Sequence, residues 1–433
     1  MGTDIPELTY PLSFRSTDAK TLGAHLLHRH NVNLIGMKRV GISNFLRFFL
    51  YRPDIVSTYI SSKEKHLFIP VDLNDLIERE VYPFWTLTLK RIIDTVERSE
   101  LPGVDKKKLE SWFDDSIQAQ DLFLVIESVR KSLLEIIASG VYPNFFFLRF
   151  DRMKDVVNQQ FFDNLQGLKD ATHQKLAYVF TGYQSLDKLA PSVFTKASLS
   201  VFMHSQFVKP AQKSDMEVIF EQLRSRYGVT LSKETEDRLF ALSGGHVQYL
   251  QIALILLHEL GKKTDAVSLE QELLQDERIQ LQSEELWEGL EKGEKETLLK
   301  ILKNESVTVQ EVQKSAYLWD VGMVHAVKKA DEIFSPLYED YLRELKLDSG
   351  KQSGNVHFTK KEHLLYKFLE KHMEEICERD DIVEGVWPEY SEYGVSDWAI
   401  DRLVARVRAK LKKQGSTQEI QTIRTRGYKL TEA

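Results

Sequence analysis

The chain has 433 residues, is 42% hydrophobic and 28% charged, and carries a formal charge of −7 with one cysteine, Cys377. That length holds roughly two to four domains, and the acidic balance excludes a chain-wide attraction to nucleic acid, so any such contact needs a local basic face. A lone cysteine excludes a disulfide framework or a thiolate zinc site. The N-terminal MGTDIPELTYPLSF has no basic region followed by an apolar one, and no charge-free run is long enough to cross a bilayer. A cytoplasmic protein without membrane contact is expected.

Residues 13–30 read as an amphipathic helix leading into an apolar strand at 32–37. The stretch 31–50, NVNLIGMKRVGISNFLRFFL, then gives strand, glycine-bounded loop and helix. In the pattern G-x-x-x-x-G-K-[ST], loop amides and the helix N-terminus cradle phosphates, Lys reaches the outer phosphates, and the hydroxyl holds Mg²⁺. Gly36, Gly41 and Ser43 fall at that spacing, but Ile42 stands where the lysine belongs. Lys38 or Arg39, inside the loop, is the candidate substitute charge. Ordinary turn and N-cap chemistry is the competing reading.

KHLFIPVDL (65–73) predicts a second buried strand. Helical periodicity covers 74–140, broken near Leu101-Pro102-Gly103. Three further apolar runs, 145–150, 176–182 and 199–205, predict strands separated by helices, hence a parallel sheet covered on both faces. In NFFFLRFDRMKD (144–155) a strand ending in Asp151 suits a carboxylate that orients Mg²⁺. The alternative is that Asp151 caps a following helix. Arg152 stands where a catalytic Glu belongs, and together with Ile42 it points to weakened or lost hydrolysis. Farther on, SGGHVQYLQIALILL puts Gly244, Gly245 and His246 before an apolar helix, either facing bound phosphates or making a helix–helix turn.

The order helix 13–30, GMKRVGIS, FFFLRFDRMKD, VFTG and SGGHVQYLQ resembles the P-loop ATPase domain of the AAA/STAND kind, over roughly residues 10–265. That resemblance implies a nucleotide-controlled switch, taking ATP or ADP with Mg²⁺ on Ser43 and Asp151, and self-association or a protein partner. It divides the region into an ATPase-like domain (10–210) and a helical lid (211–265). Residues 280–347 resemble a degenerate winged-helix relay module, and DSGKQSGN (348–355) reads as a linker.

From 356 the pattern changes. Thr359 and Glu362 form a capping box, Asp380-Asp381 starts a short helix ending at Val386-Trp387-Pro388, and Ser396-Asp397 caps a helix from Trp398 to Lys413. Its apolar stripe is Ile400, Leu403, Val404, Val407 and Leu411. Arg402, Arg406, Arg408, Lys410, Lys412 and Lys413 lie off that stripe, and IQTIRTRGYKL predicts a basic hairpin turning at Gly427. Such a helix fits a major groove and such a hairpin fits phosphates or a minor groove, although a solvated helix face would carry similar charge.

FTKKEHLLYKFL, EGVW, SDWAIDRLVARVRAKL and IQTIRTRGYKL closely resemble the OmpR/PhoB-type winged-helix domain of bacterial transcription regulators, across 356–433. The resemblance implies double-stranded DNA as partner. Trp398, Arg402 and Arg406 would face bases or adjoining phosphates, Arg408 and Lys410 the backbone, and Arg424 the wing contact, with Arg426 adding a phosphate contact. The expected architecture is multidomain α/β: a parallel P-loop NTPase-like sheet with a helical lid, then two winged-helix modules. The expected function is a DNA-binding transcription regulator under a P-loop switch impaired in hydrolysis, a pseudo-ATPase. The alternatives are an active STAND-type ATPase that assembles on a trigger, and a protein-binding scaffold.

Overall fold

The computed structural model describes residues 5–432 apart from 61–62, 100, 195–201, 203, 262–265, 328–329, 351–357, 359, 388–396 and 424–425. The chain divides into two compact units, Met1–Leu342 and Arg343–Ala433.

The first unit is built on five strands, β1 (Val32–Gly36), β2 (Lys65–Asp72), β3 (Val141–Leu148), β4 (Ala177–Gly182) and β5 (Ser205–Val208). Every pairing is parallel, in the order β2-β3-β4-β1-β5. Helix α1 (Ser16–Leu27) precedes β1, and α2 (Ile42–Tyr51) leaves the loop that follows it. Between β2 and β3 stand α3 (Val81–Ser99), α4 (Lys106–Ala119) and α5 (Leu122–Ala138); α6 (Gln159–Ala171) and the single turn α7 (Leu186–Leu189) complete the crossovers.

The run of three phenylalanines in β3 explains why this segment is a strand rather than a helix. Successive strand side chains point to opposite faces, so Phe146 enters one hydrophobic core while Phe145 and Phe147 enter the other. A sheet covered on both faces needs such unalternating apolar sequence. Local caps set the helix starts: the Asp121 carboxylate accepts from the Leu124 amide and the Asn158 side chain from the Phe161 amide.

Beyond the sheet follow α8 (Lys213–Tyr227), α9 (Lys233–Ser243), α10 (Val247–Leu260), α11 (Ala266–Gln275) and α12 (Glu277–Glu288). Then come α13 (Lys292–Leu302), α14 (Val309–Lys314), α15 (Tyr317–Asp320), an antiparallel ribbon of β6 (Val324–Val327) and β7 (Ala330–Ile333), and α16 (Pro336–Gly350).

Three expectations need adjustment. The strand placed at 145–150 runs Val141–Leu148, after which Arg149 takes a left-handed φ of 58°. Asp151 therefore sits on the 3₁₀ turn Phe150–Met153 rather than at a strand end, and the next α-helix begins only at Gln159. The strand placed at 199–205 is Ser205–Val208, and 199–201 and 203 lie outside the described residues. The linker placed at 348–355 loses its first three residues to α16, which runs through Asp348 and Ser349 to Gly350; 351–355 lie outside the described residues.

The second unit contains α17 (Lys360–Lys371), β8 (Cys377–Glu378), α18 (Arg379–Val386), α19 (Asp397–Lys413), β9 (Gln418–Ile423) and β10 (Gly427–Glu432). Its antiparallel sheet has the order β8-β10-β9. The predicted stripe of α19, from Ile400 to Leu411, is buried throughout with Leu365, Ile382, Ile420 and Leu430. Gly427 is obligatory for space, since a Cβ there would lie 2.0 Å from the Cys377 carbonyl oxygen. Thr359, Ser396 and Arg424 lie outside the described residues.

Candidate nucleotide loop and nucleic-acid face

In the first unit, β1 delivers the chain into the loop and α2 carries it away, so the first α2 amides have no intrahelical acceptor. Gly36 must be glycine because a Cβ would meet the Val208 carbonyl oxygen at 2.8 Å, and Gly41 adopts a φ of 112°. Ile42 folds its Cδ1 back to 3.1 Å from that same Gly36 position, so an apolar side chain packs against the loop where the motif has lysine. Ser43 stands exposed on the first turn of α2.

The two substitute charges go different ways. Arg39 donates to Glu285 of α12 at 3.0 Å, and Lys38 lies over the Tyr183 ring, 4.8 Å from its centroid, where its charge acts on Asp151. Burial raises the Asp151 carboxyl above its usual range, opposed by Lys38, Arg152 and Arg149. Arg152 turns from the loop to donate to Asn74 at 2.9 Å.

The candidate lid residues close over this loop. His246 is buried and its Nε2 pairs with the Lys38 carbonyl oxygen at 2.9 Å. Val247, the first residue of α10, brings its Cγ2 to 2.6 Å from where a Gly41 Cβ would be. Gly244 and Gly245 pack on protein backbone, at Phe334 and Ala211 respectively. Two shallow recesses adjoin the loop, one beside Met37, Lys38 and Tyr183 and another beside Asp151 and Gly182. The start of α10 covers the loop between Lys38 and Gly41.

Sequence reasoning passed over Arg15. It is 5% exposed, and its Nη1 donates to Asp18 at 3.0 Å and to the Lys209 carbonyl at 3.1 Å. Its Nε and Nη2 are buried without a hydrogen-bond partner, and Nη2 lies 3.8 Å from the Gly41 Cβ position. Unsatisfied buried donors cost about 1–3 kcal/mol, more when charged. Orphaned cationic donors beside a helix N-terminus fit an anion. The residues present thus fit phosphates, and Ile42 places no charge where the motif has lysine.

His246 also gives the lid a pH dependence. Burial lowers its pKa from 6.5 to about 4, so the unfolded chain binds its proton before the folded one does. Its stabilising contribution is intact above pH 6.5 and is lost as pH falls from 6.5 through about 4, a change of about 3 kcal/mol. His66 of β2, also lowered to about 4 by burial, adds a parallel loss away from the lid. Protection of the α10 amides, taken relative to intrinsic exchange at each pH, should fall by more than about tenfold between pH 7 and pH 4.5 in the native chain. Unchanged protection at pH 4.5 would contradict that.

In the second unit the basic helix is partly committed inward. Glu362 of α17 is 1% exposed and holds Lys410 at 2.5 Å and Arg406 at 3.5 Å. Arg408 donates to the Ile420 carbonyl at 2.6 Å and to the Thr422 hydroxyl at 2.7 Å, fixing α19 to β9. Exposed along α19 are Asp401, Ala405, Ala409 and Lys412, flanked by the half-buried Arg402. Asp401 pairs with Arg379 at 2.6 Å. Trp398 is on α19, and its side chain lies outside the described residues. Arg426, at the hairpin turn, is exposed and 3.8 Å from Glu378.

Two exposed alanines between cations leave room for a helix backbone to approach a groove wall. We expect Glu362→Gln, which removes the charge holding Arg406 and Lys410, to tighten duplex binding about three- to tenfold and steepen its salt dependence by about one unit per added phosphate contact. Anisotropy titrations at several salt concentrations would show this. Unchanged affinity and slope would mean those cations never reach phosphates.

Residues 352–430 match the family profile described as Transcriptional regulatory protein, C terminal. Among solved structures the chain is similar to a Walker-type ATPase of Pyrococcus abyssi, at 14% identity over 76% of this chain and 95% of that chain, with a TM-score of 0.43. It is similar to the ORC2 protein of Aeropyrum pernix in its ADP form, at 11% identity over 81% and 99% of the two chains, with a TM-score of 0.44. Similarity to the Cdc6p protein of Pyrobaculum aerophilum is 15% over 80% and 98%, with a TM-score of 0.37. No curated protein sequence matches the chain.

Proposed function

We propose that this chain is a DNA-binding transcription regulator whose P-loop ATPase-like domain, impaired in hydrolysis, controls a C-terminal winged helix. The observation carrying the reading is α19: its apolar stripe is buried, its outer face presents small residues between cations, and it lies within the segment matching the transcriptional-regulator profile. Arg402, Lys412 and Arg426 are the cations best placed for duplex DNA, and Arg408 instead anchors the helix that they flank. Helices α8–α10 act as the lid, and 280–347 relay its position. DNA as partner implies work in the cytoplasm, with self-association or a protein partner as a further input.

ATP or ADP, when bound, supplies the negative charge that the loop lacks. Arg15 and the α2 N-terminus would hold the phosphates, and Ser43 and Asp151 would hold Mg²⁺. Seating or release of His246 and Val247 then gives two lid arrangements, and whichever state binds nucleotide better is enriched. Arg152, bonded to Asn74, is not poised to activate water, which disfavours an active STAND-type ATPase. A gel-shift titration of the full chain with duplex DNA tests the reading: a saturable, salt-sensitive complex is expected. No complex at low salt would overturn it.

A further inference from the structure

The pairing of β1 with β5 gathers four histidines that no part of the nucleotide or DNA reading uses. His25 and His28 lie at and just beyond the end of α1, His30 lies on the connection into β1, and His204 immediately precedes β5, its carbonyl accepting from the Asn33 amide at 2.7 Å. The Nδ1 atoms of His25 and His30 face each other at 3.3 Å. His204 stacks on His30 with ring centroids 4.6 Å apart and lies 5.8 Å from His25; His28 lies 5.7 Å from His30.

We propose that His25, His30 and His204 bind a divalent transition-metal ion of the zinc or nickel kind, with His28 available as a fourth ligand. Zinc–nitrogen bonds of about 2.0–2.1 Å at tetrahedral angles set ligand nitrogens about 3.3–3.4 Å apart, which is the separation of the His25–His30 pair. No three His, Cys, Asp or Glu side chains among the described residues converge on one point as they stand. Coordination by all three therefore requires the exposed His204 side chain to change rotamer, a change that costs little at a surface position. All-imidazole sites suit zinc, nickel and copper rather than magnesium or calcium.

Bound metal would pin the end of α1 to the start of β5, at the opposite end of β1 from Gly36.

Calorimetric titration of the full chain with zinc sulfate at pH 7.5 tests this. We expect one ion per chain with a dissociation constant of about 10 µM or tighter, and a zinc-dependent rise in melting temperature. His30→Ala and His204→Asn should each weaken binding about tenfold or more, with circular dichroism confirming that the exposed-site variant His204→Asn is folded. A cobalt titration should give visible absorption bands that both variants lose. No saturable binding at 100-fold higher zinc would leave a hydrogen-bonded histidine pair only. Equal affinity in both variants would place the ion elsewhere. Either result overturns the proposal.

Discussion

Replacing Arg402 and Arg426 together with Glu is expected to remove duplex binding, lowering affinity at least about 100-fold near 100 mM salt. Each lost charge-assisted phosphate or base contact is worth about 1–3 kcal/mol, and each introduced carboxylate adds repulsion from the phosphates. The choice of positions matters. Arg408→Glu would also weaken binding, but it would break the bonds to Ile420 and Thr422 that hold α19 against β9, so affinity and stability would fall together. Arg406→Glu would set a second carboxylate beside the buried Glu362. Arg426 is exposed, with a long ion pair to Glu378, and Arg402 is half-buried beside the outer face of α19, so circular dichroism of the double variant separates lost DNA contacts from lost fold. Its salt slope should fall by about one unit per lost phosphate contact. Retained affinity with an unaltered slope would remove α19 and its hairpin from the DNA reading.

The second large effect concerns the loop. The native chain should bind ATP or ADP weakly and turn ATP over no faster than background. Ile42→Lys puts an ammonium on α2 where Ile42 now packs beside Gly36, and a hydrogen bond to a charged group contributes about 1.5–3 kcal/mol. Nucleotide affinity should rise about tenfold or more. Arg15→Met should lower it by a similar factor; it relieves two unsatisfied buried donors but also removes the ion pair to Asp18 and the bond to the Lys209 carbonyl, so its melting temperature is measured beside its affinity. Turnover should stay at background in both, since Arg152 still donates to Asn74. Calorimetry with and without Mg²⁺, alongside a phosphate-release assay, measures all of this. Rapid turnover by the native chain that vanishes in Asp151→Ala would instead support the active STAND-type reading.

How much was legible in the sequence depended on whether the signal was local. Apolar runs such as FFFL and the stripe Ile400–Leu403–Val404–Val407–Leu411 announced a two-face-buried strand and an amphipathic helix, because burial imposes its period directly on sequence. Glycine spacing located the loop, because its tight backbone approaches exclude a Cβ. The third strand's end was misplaced because Arg149 turns the chain through a left-handed φ, a conformation its residue type does not announce. Arg15, whose importance comes from contacts with Asp215, Lys209 and Gly41 far along the chain, carried no local mark. Nor did Glu362, which reads as a capping residue and proves to be the buried carboxylate neighbouring two of the expected DNA cations. Charge counted along a helix gives the number of cations; which of them face solvent is decided by neighbours in space.

The central claim is that occupancy of the loop alters what the winged helix does. Its most direct test is the affinity of the full chain for one duplex, measured by anisotropy at fixed salt with and without saturating ATP and Mg²⁺. The account predicts that nucleotide shifts this affinity by about fivefold or more, a coupling of about 1 kcal/mol. Identical duplex affinity in both conditions, with nucleotide binding verified by calorimetry in the same buffer, would contradict it.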